Sequence, residues 1–270
     1  NGVIQTHIIN HPLAPSYWKY VHLISMYSSL KKGSPSALLF GFGGGSIARE
    51  LNRMNMKVDA VEIDSRMLDI AKKYFYFNDS ATHFLVDDAR HYINTTKKKY
   101  DLMVFDVLNG EMQPSYIFTT EGFTRMKKLL NEEGMIIIEF QELKVNNKLI
   151  AYESIFNTLK AADYQVYYSL NNEDADDAMD IILIASLKGI DFGKLNADNF
   201  NKCCKHQPWL ADFLKQPVET RTDLFSEAEL LTDDKPLLEH LTAETQKRWS
   251  EKMQEGPAKT QLMAGRRLFK

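Results

Sequence analysis

From Ala37 onward the chain alternates short apolar runs with amphipathic segments, and this rhythm restricts the fold more than any other feature. Such runs, bounded by turn residues and separated by stretches of helical period, build strand–helix units. Their strands lie parallel and are covered on both faces. The pattern predicts strands at Ala37 to Phe42, Val58 to Glu62, His83 to Val86, Tyr100 to Asp106 and Met135 to Phe140. It predicts helices at about Ser46 to Met54, Ser65 to Tyr76, Ala89 to Thr96 and Thr120 to Leu130, with a further one at Asn147 to Ala162.

The rhythm then changes. "YQVYYSL" (Tyr164 to Leu170) and "DIILIAS" (Asp180 to Ser186) are strand-like runs with no helix between them, so they are expected to pair as an antiparallel hairpin. The expected fold is α/β, a Rossmann-like seven-stranded and mostly parallel sheet closed by that hairpin, with a helical C-terminal extension. This layout is typical of S-adenosylmethionine-dependent transferases, whereas a nicotinamide dehydrogenase more often adds another helix and parallel strand. The expected division is an N-terminal segment at 1–36 covering the site, a nucleoside-binding catalytic domain at 37–188 and a helical extension at 189–270, with a helix at Ala243 to Met253. The acid-rich stretch Glu173 to Asp180 reads as a solvated hairpin turn.

Composition narrows the classes of function. At 270 residues, 44% hydrophobic and 26% charged, the chain has the make-up of an ordinary globular protein, and no apolar run reaches the roughly 18 residues of a membrane span. A formal net charge of -3 gives no sign of the basic footprint of a nucleic-acid binder. Cys203 and Cys204 are adjacent, which suits neither a disulfide framework nor a zinc site and fits a reducing, cytoplasmic setting. His7 and His11 have i,i+4 spacing, but Pro12 disfavours helix there, so no metal is expected. The chain opens on Asn1 rather than Met, compatible with a piece of something longer.

The residues after the first apolar run point to the ligand. Gly41, Gly43, Gly44 and Gly45 allow the turn and the close backbone approach that a nucleotide-like ligand requires. Ser46 stands where a dinucleotide fingerprint has its third glycine and reads as the cap of the next helix, which disfavours pyrophosphate. Glu62 closes the second strand roughly twenty positions after Gly41, where a carboxylate can accept both hydroxyls of a ribose. In "VDDAR", Asp88 or Asp87 is placed to accept from an adenine amino group, the choice resting on a one-residue register. Asp106 ends the fourth strand and is expected to point into the crevice beside the cofactor's sulfur. His91 is expected to shield adenine or face solvent.

These residues resemble those of the spermidine synthase (aminopropyltransferase) family, from Asn1 to about Phe140 and again near Leu231. "NGVIQ" is similar to the family's L-D-G-x-x-Q segment, which implies that Gln5 contacts the nucleoside. Tyr20, in "KYVHL", resembles the tyrosine of Y-x-E-M, with His22 at the glutamate's place. "FGFGGGS" resembles G-G-G-D-G-G, with Gly44 in place of the aspartate that contacts the cofactor's tail. "VEID" and "DDA" match, so Glu62, Asp64, Asp87, Asp88 and Ala89 join Gly41, Gly43 and Gly45 as implied cofactor contacts. "DVLNGEMQPSYIFTTEGF" aligns with D-S-S-D-P, which puts Asp106 at the catalytic base and Asn109 at the second aspartate; Asn109, Glu111 and Tyr20 are the implied substrate contacts.

The spacing of Asp106, Gly110, Pro114 and Thr119, and "LLTDDKPLLE", look more like a divergent branch often fused behind a transporter-like membrane region. "TDDKP" reads as a polar turn closing over the site or as a direct ligand contact. The resemblance implies decarboxylated S-adenosylmethionine or S-adenosylmethionine as cofactor, no metal, and a small-molecule amine as partner. It implies neither nucleic acid nor membrane contact by this chain itself; a homodimer and a membrane-fused parent stay open. Three functions follow: aminopropyl transfer to a polyamine or other amine, methyl transfer from S-adenosylmethionine, or nucleoside sensing without catalysis.

Overall fold

In the computed structural model, which describes residues 34–78, 80–107, 114–144, 148–171, 178–190, 219–243 and 247, the run S-A-L-L-F forms β1 (Ser36–Phe40). Its side chains alternate between two cores: Leu38 and Phe40 enter one, Ala37 and Leu39 the other, and all four are fully buried. Burial on both faces is why this strand reads as a continuous apolar run. The other strands are β2 (Lys57–Glu62), β3 (Thr82–Val86), β4 (Tyr100–Phe105), β5 (Leu130–Leu143), β6 (Gln165–Asn171), β7 (Ala178–Ser186) and β8 (Glu219–Thr220).

Helices α1 (Ser46–Arg53) and α2 (Met67–Tyr74) cover one face of the sheet, through Ile47, Ala48, Leu51 and Ala71. On the other face lie α3 (Ala89–Thr95), α4 (Thr120–Leu129) and α5 (Ile150–Ala161), which bury Tyr92, Phe123, Met126, Ile155 and Phe156. The strand order is β3-β2-β1-β4-β5-β7-β6-β8. Neighbours from β3 to β5 are parallel, while β7 and β6 join antiparallel. Because the chain winds outward from β1 to β3 and then restarts at β4 on β1's other side, the carboxyl ends of β1 and β4 flank the switch-point crevice where ligands of open α/β sheets bind.

Two features differ from expectation. The fifth strand runs from Leu130 to Leu143, not from Met135 to Phe140: Leu130 already pairs with Tyr100 of β4, across a register shift, and antiparallel β7 supplies a ladder from Met135↔Ser186 to Leu143↔Ala178, beyond the reach of β4. An eighth strand, Glu219–Thr220, joins the edge of β6, with the Thr220 hydroxyl donating to the Val166 carbonyl at 3.0 Å; a paired edge is a less available template for another chain. Of the C-terminal extension the described part is 219–243, which holds α6 (Leu238–Leu241) among turns and irregular segments. The stretch Ala243 to Met253 lies mostly outside the described residues.

The "TDDKP" segment is a turn, bridged between Thr232 and Lys235, that straps onto α3 and α4. The Thr120 N–H donates to the Leu231 carbonyl at 2.8 Å, and Leu231 is fully buried. Asp233 accepts from the Arg90 guanidinium at 2.5 and 2.8 Å and from the Thr119 hydroxyl at 2.6 Å. Its acid therefore meets protein groups: Arg90, which is largely buried, and the residue that caps α4. Asp233→Ala is expected to destabilise the fold by about 1 kcal/mol, the usual scale for a charge-assisted bond with one partner half-exposed. Urea unfolding at unchanged m-value checks this, and an unshifted midpoint counts against the strap.

Candidate active site

The crevice begins where β1 ends. Gly41 adopts φ +82° and donates its N–H to the Val61 carbonyl at 3.0 Å, while the Asp106 N–H donates to the Phe40 carbonyl at 3.0 Å, so the backbones beyond β1, β2 and β4 are laced together. A Cβ on Gly41 would stand 2.0 Å from the Asp106 carbonyl oxygen. Bare backbone at this position is thus demanded first by the neighbouring strand.

Gly45 is similar: at φ +74°, its Cβ would lie 2.4 Å from the Phe77 ring. Gly45 is also the N-cap of α1, its carbonyl accepting from the Arg49 N–H at 3.0 Å. Ser46 is the first helical residue and not the cap the sequence suggests, because the positive-φ turn that closes on Phe42 belongs to Gly45. Gly43 also has positive φ, at +50°.

Glu62 closes β2 with both carboxylate oxygens oriented by backbone: one accepts from the Phe42 N–H at 2.9 Å, the other from the Asp64 N–H at 3.0 Å. Each oxygen keeps a further acceptor position. A carboxylate so held, at the mouth beside the glycine loop, fits a pair of vicinal hydroxyls without reorganising. Asp64 is partly exposed and its carboxylate engages the Arg66 guanidinium at 2.6 to 3.1 Å; the bonds to Arg66 hold its pKa down at about 2.

Asp106 follows β4, half-buried. Among the described residues none bonds its carboxylate. Burial, and then the negative charge of Glu62, push its pKa up to about 6. It is a carboxylate that can change protonation near neutrality, at the switch point.

Past β3, Asp87 and Asp88 divide between two tasks. Asp88 caps α3, one oxygen accepting from the His91 N–H at 2.9 Å and the other from the Tyr116 hydroxyl at 2.7 Å. Asp87 accepts from the Asp88 N–H at 2.8 Å and pairs with the His91 ring at 2.7 Å, so His91 is tied to an acid. Ala89 opens α3. The structure thus gathers Gly41, Gly43, Gly45, Glu62, Asp64, Asp87, Asp88, Ala89 and Asp106 along the carboxyl edge of the sheet. Gln5, Tyr20, Asn109 and Glu111, with His7, His11, His22, Cys203 and Cys204, lie outside the described residues.

Two residues carry no clear sequence signal. Tyr116 sits two positions past Pro114, within a motif that assigns it no role. Glu142 is buried near the end of β5 and accepts from the Ala151 and Tyr152 N–H groups at 2.8 and 2.9 Å, holding the first turn of α5; burial pushes its pKa up to about 7 despite those bonds.

A model of the spermine/spermidine synthase domain matches residues 20–171, more than half of the chain. The chain belongs to this family. A polyamine aminopropyltransferase of Saccharolobus solfataricus is 32% identical over 142 residues, 49% of this chain and 46% of that protein. The chain therefore spans about half the length of the curated relatives it matches. Among solved structures, a probable spermidine synthase from Corynebacterium glutamicum superposes with a TM-score of 0.58 at 16% identity, over 83% of this chain and 86% of that one. Human Methyltransferase-like protein 13 in complex with SAH does so at 0.52 and 21%, over 77% and 97%. These likenesses establish the fold, a mostly parallel α/β sheet with antiparallel strands at its C-terminal side. No helix among the described residues is long and apolar enough to cross a membrane.

Proposed function

We propose that this domain transfers an aminopropyl group from decarboxylated S-adenosylmethionine to the nitrogen of a polyamine or other amine, with Asp106 as the base. The observation that carries this reading is the Asp106 carboxylate: half-buried at the switch point beside Glu62, unbonded among the described residues, with its pKa raised to about 6. Glu62 would hold the ribose, and Gly41, Gly43 and Gly45 the turn beneath the sulfur-bearing tail. Asp87, Asp88 and Ala89 would border the base, while Asp64, already paired with Arg66, would order the loop beside the ribose.

When bound, the cofactor supplies a sulfonium-activated carbon, and the amine's lone pair forms the N–C bond as the C–S electrons return to sulfur. Asp106 takes the proton that nitrogen loses. An alkylamine has a pKa of about 10.4, so an ordinary aspartate is a weak acceptor; raising Asp106 to about 6 makes the proton transfer less uphill by up to ~3 kcal/mol. Two acids facing the crevice also offset the two cations that must meet there. Transfer should fall as pH drops through about 6 and Asp106 becomes protonated.

The test is incubation with putrescine and decarboxylated S-adenosylmethionine labelled in the aminopropyl group, scoring labelled spermidine; no product above background from folded protein counts against the proposal. Gly44, where the family has an acid, favours methyl transfer as a second reading, since no carboxylate there repels that of S-adenosylmethionine. Calorimetric preference for the carboxylated cofactor would select it. Under either reading Glu62→Gln should weaken 5′-methylthioadenosine about tenfold or more, as expected for losing charge and one acceptor at a diol. Equal affinities would remove Glu62 from the ribose site.

A further inference from the structure

The turn that leads into α4 contains an exception. Ser115, Ile117 and Phe118 are buried, yet Tyr116 between them is 41% exposed. Its hydroxyl is nevertheless engaged, donating at 2.7 Å to Asp88, the cap of α3. In the sheet β3 and β4 are separated by β2 and β1. A bond from the β4 side to the start of α3 therefore reaches across the crevice mouth on the face that α3 and α4 cover. Apolar side chains are also left open along this edge: Ile63, just past β2, is 69% exposed, and Val86, the last residue of β3, 56%.

An exposed aromatic with a fixed hydroxyl, on the same edge of the sheet as apolar side chains left open at the strand ends, is the composition of a site for a flat heterocycle with a polar edge. We infer that Tyr116 is a nucleobase-positioning residue: its hydroxyl aims the Asp88 carboxylate at the 6-amino group of adenine, and its ring forms one wall of the base site. The inference rests on the adenosyl reading above and adds the residue that sets base specificity. An aspartate with one oxygen on the His91 N–H and the other on Tyr116 is fixed in orientation and keeps further acceptor positions for a donor. A 6-amino purine offers that donor. A 6-oxo purine offers an acceptor and is repelled. Burial, and then the bond to Asp88, push the Tyr116 pKa up to about 12, so the hydroxyl stays a donor throughout the neutral range.

The experiment compares 5′-methylthioadenosine with 5′-methylthioinosine, which differ only at the base, by calorimetry on the full chain and on Tyr116→Phe and Tyr116→Leu. Tyr116→Phe is expected to lower affinity for the adenine compound about threefold to tenfold, the range for one lost hydrogen bond, and to shrink the adenine-to-hypoxanthine preference by a similar factor. Tyr116→Leu should lose about tenfold more, because the stacking wall goes as well. Melting temperatures within a degree or so of the parent verify folding, and a structural link alone would not move the base preference. Unchanged or tighter binding by Tyr116→Phe, with the parent binding normally, overturns this assignment alone, since it means that adenine ignores or displaces the hydroxyl. If the parent binds neither compound, the adenosyl reading and this inference fall together.

Discussion

Asp106→Asn should lower aminopropyl transfer by about 10²- to 10⁴-fold, the usual contribution of a positioned base, while leaving 5′-methylthioadenosine binding within a few-fold of the parent. The same substitution should make the protein more stable. With its folded pKa near 6, above an unfolded value near 3.8, the carboxyl contributes stability that is fully present below about pH 4 and lost as pH rises through 6. Above that window the fold carries a desolvated charge next to Glu62, at a cost of at most about 3 kcal/mol, reduced by whatever solvent screens at a half-buried group. Asparagine carries no such charge. The gain in melting temperature should therefore amount to several degrees at about pH 8 and vanish near pH 4. A gain independent of pH would show that Asp106 is not the strained group, and unimpaired transfer would remove it from the chemistry.

Gly41→Ala should be among the most damaging single changes in the crevice. A Cβ there would sit 2.0 Å from the Asp106 carbonyl oxygen and 2.9 Å from its carbonyl carbon, at φ +82°. Neither atom is the tip of a flexible side chain. Asp106 is bonded to Phe40, and Gly41 to Val61, so relief requires opening the lacing between β1 and its two neighbours. The left-handed backbone adds about 1–2 kcal/mol to that steric cost. A destabilisation of about 3–5 kcal/mol, seen as a melting temperature lower by on the order of 10 °C, is expected. Gly43→Ala, at φ +50°, should cost about 1 kcal/mol. Similar losses at the two positions would mean that the glycines serve only the left-handed turn. A fully stable Gly41→Ala that merely fails to bind nucleoside would mean that the bare backbone serves the ligand alone.

Much of the sheet was legible because its code is local. The runs at Ser36–Phe40, Lys57–Glu62, Thr82–Val86 and Tyr100–Phe105 lie within two residues of expectation: β1 and β4, buried on both faces, read as nearly continuous apolar runs, while β2 and the edge strand β3 are marked by the apolar residues between their more exposed ones. The hairpin Gln165–Asn171 and Ala178–Ser186 was signalled by two such runs with no helical period between them. The site acids were legible for a related reason. Glu62 and Asp106 each end an apolar run, and a chain leaving a parallel strand emerges on the ligand side of the sheet.

What escaped the sequence depends on partners far along the chain. The length of β5 is set by β7, the edge strand Glu219–Thr220 by the vacant side of β6, and the cap of α1 by a turn that only Gly45 can make. Tyr116 acquires its partner 28 residues earlier, and Asp233 meets Arg90 from 143 residues later. Residue type and spacing by themselves determined the strand–helix rhythm, the acids at the strand ends and the family, because these are read from neighbours in the chain. Tertiary structure alone decided why Gly41 must be bare, which donors hold the two oxygens of Asp88 and how burial, and then Glu62, raises Asp106, because steric contact, hydrogen bonding and charge act through space, between atoms that only folding brings together.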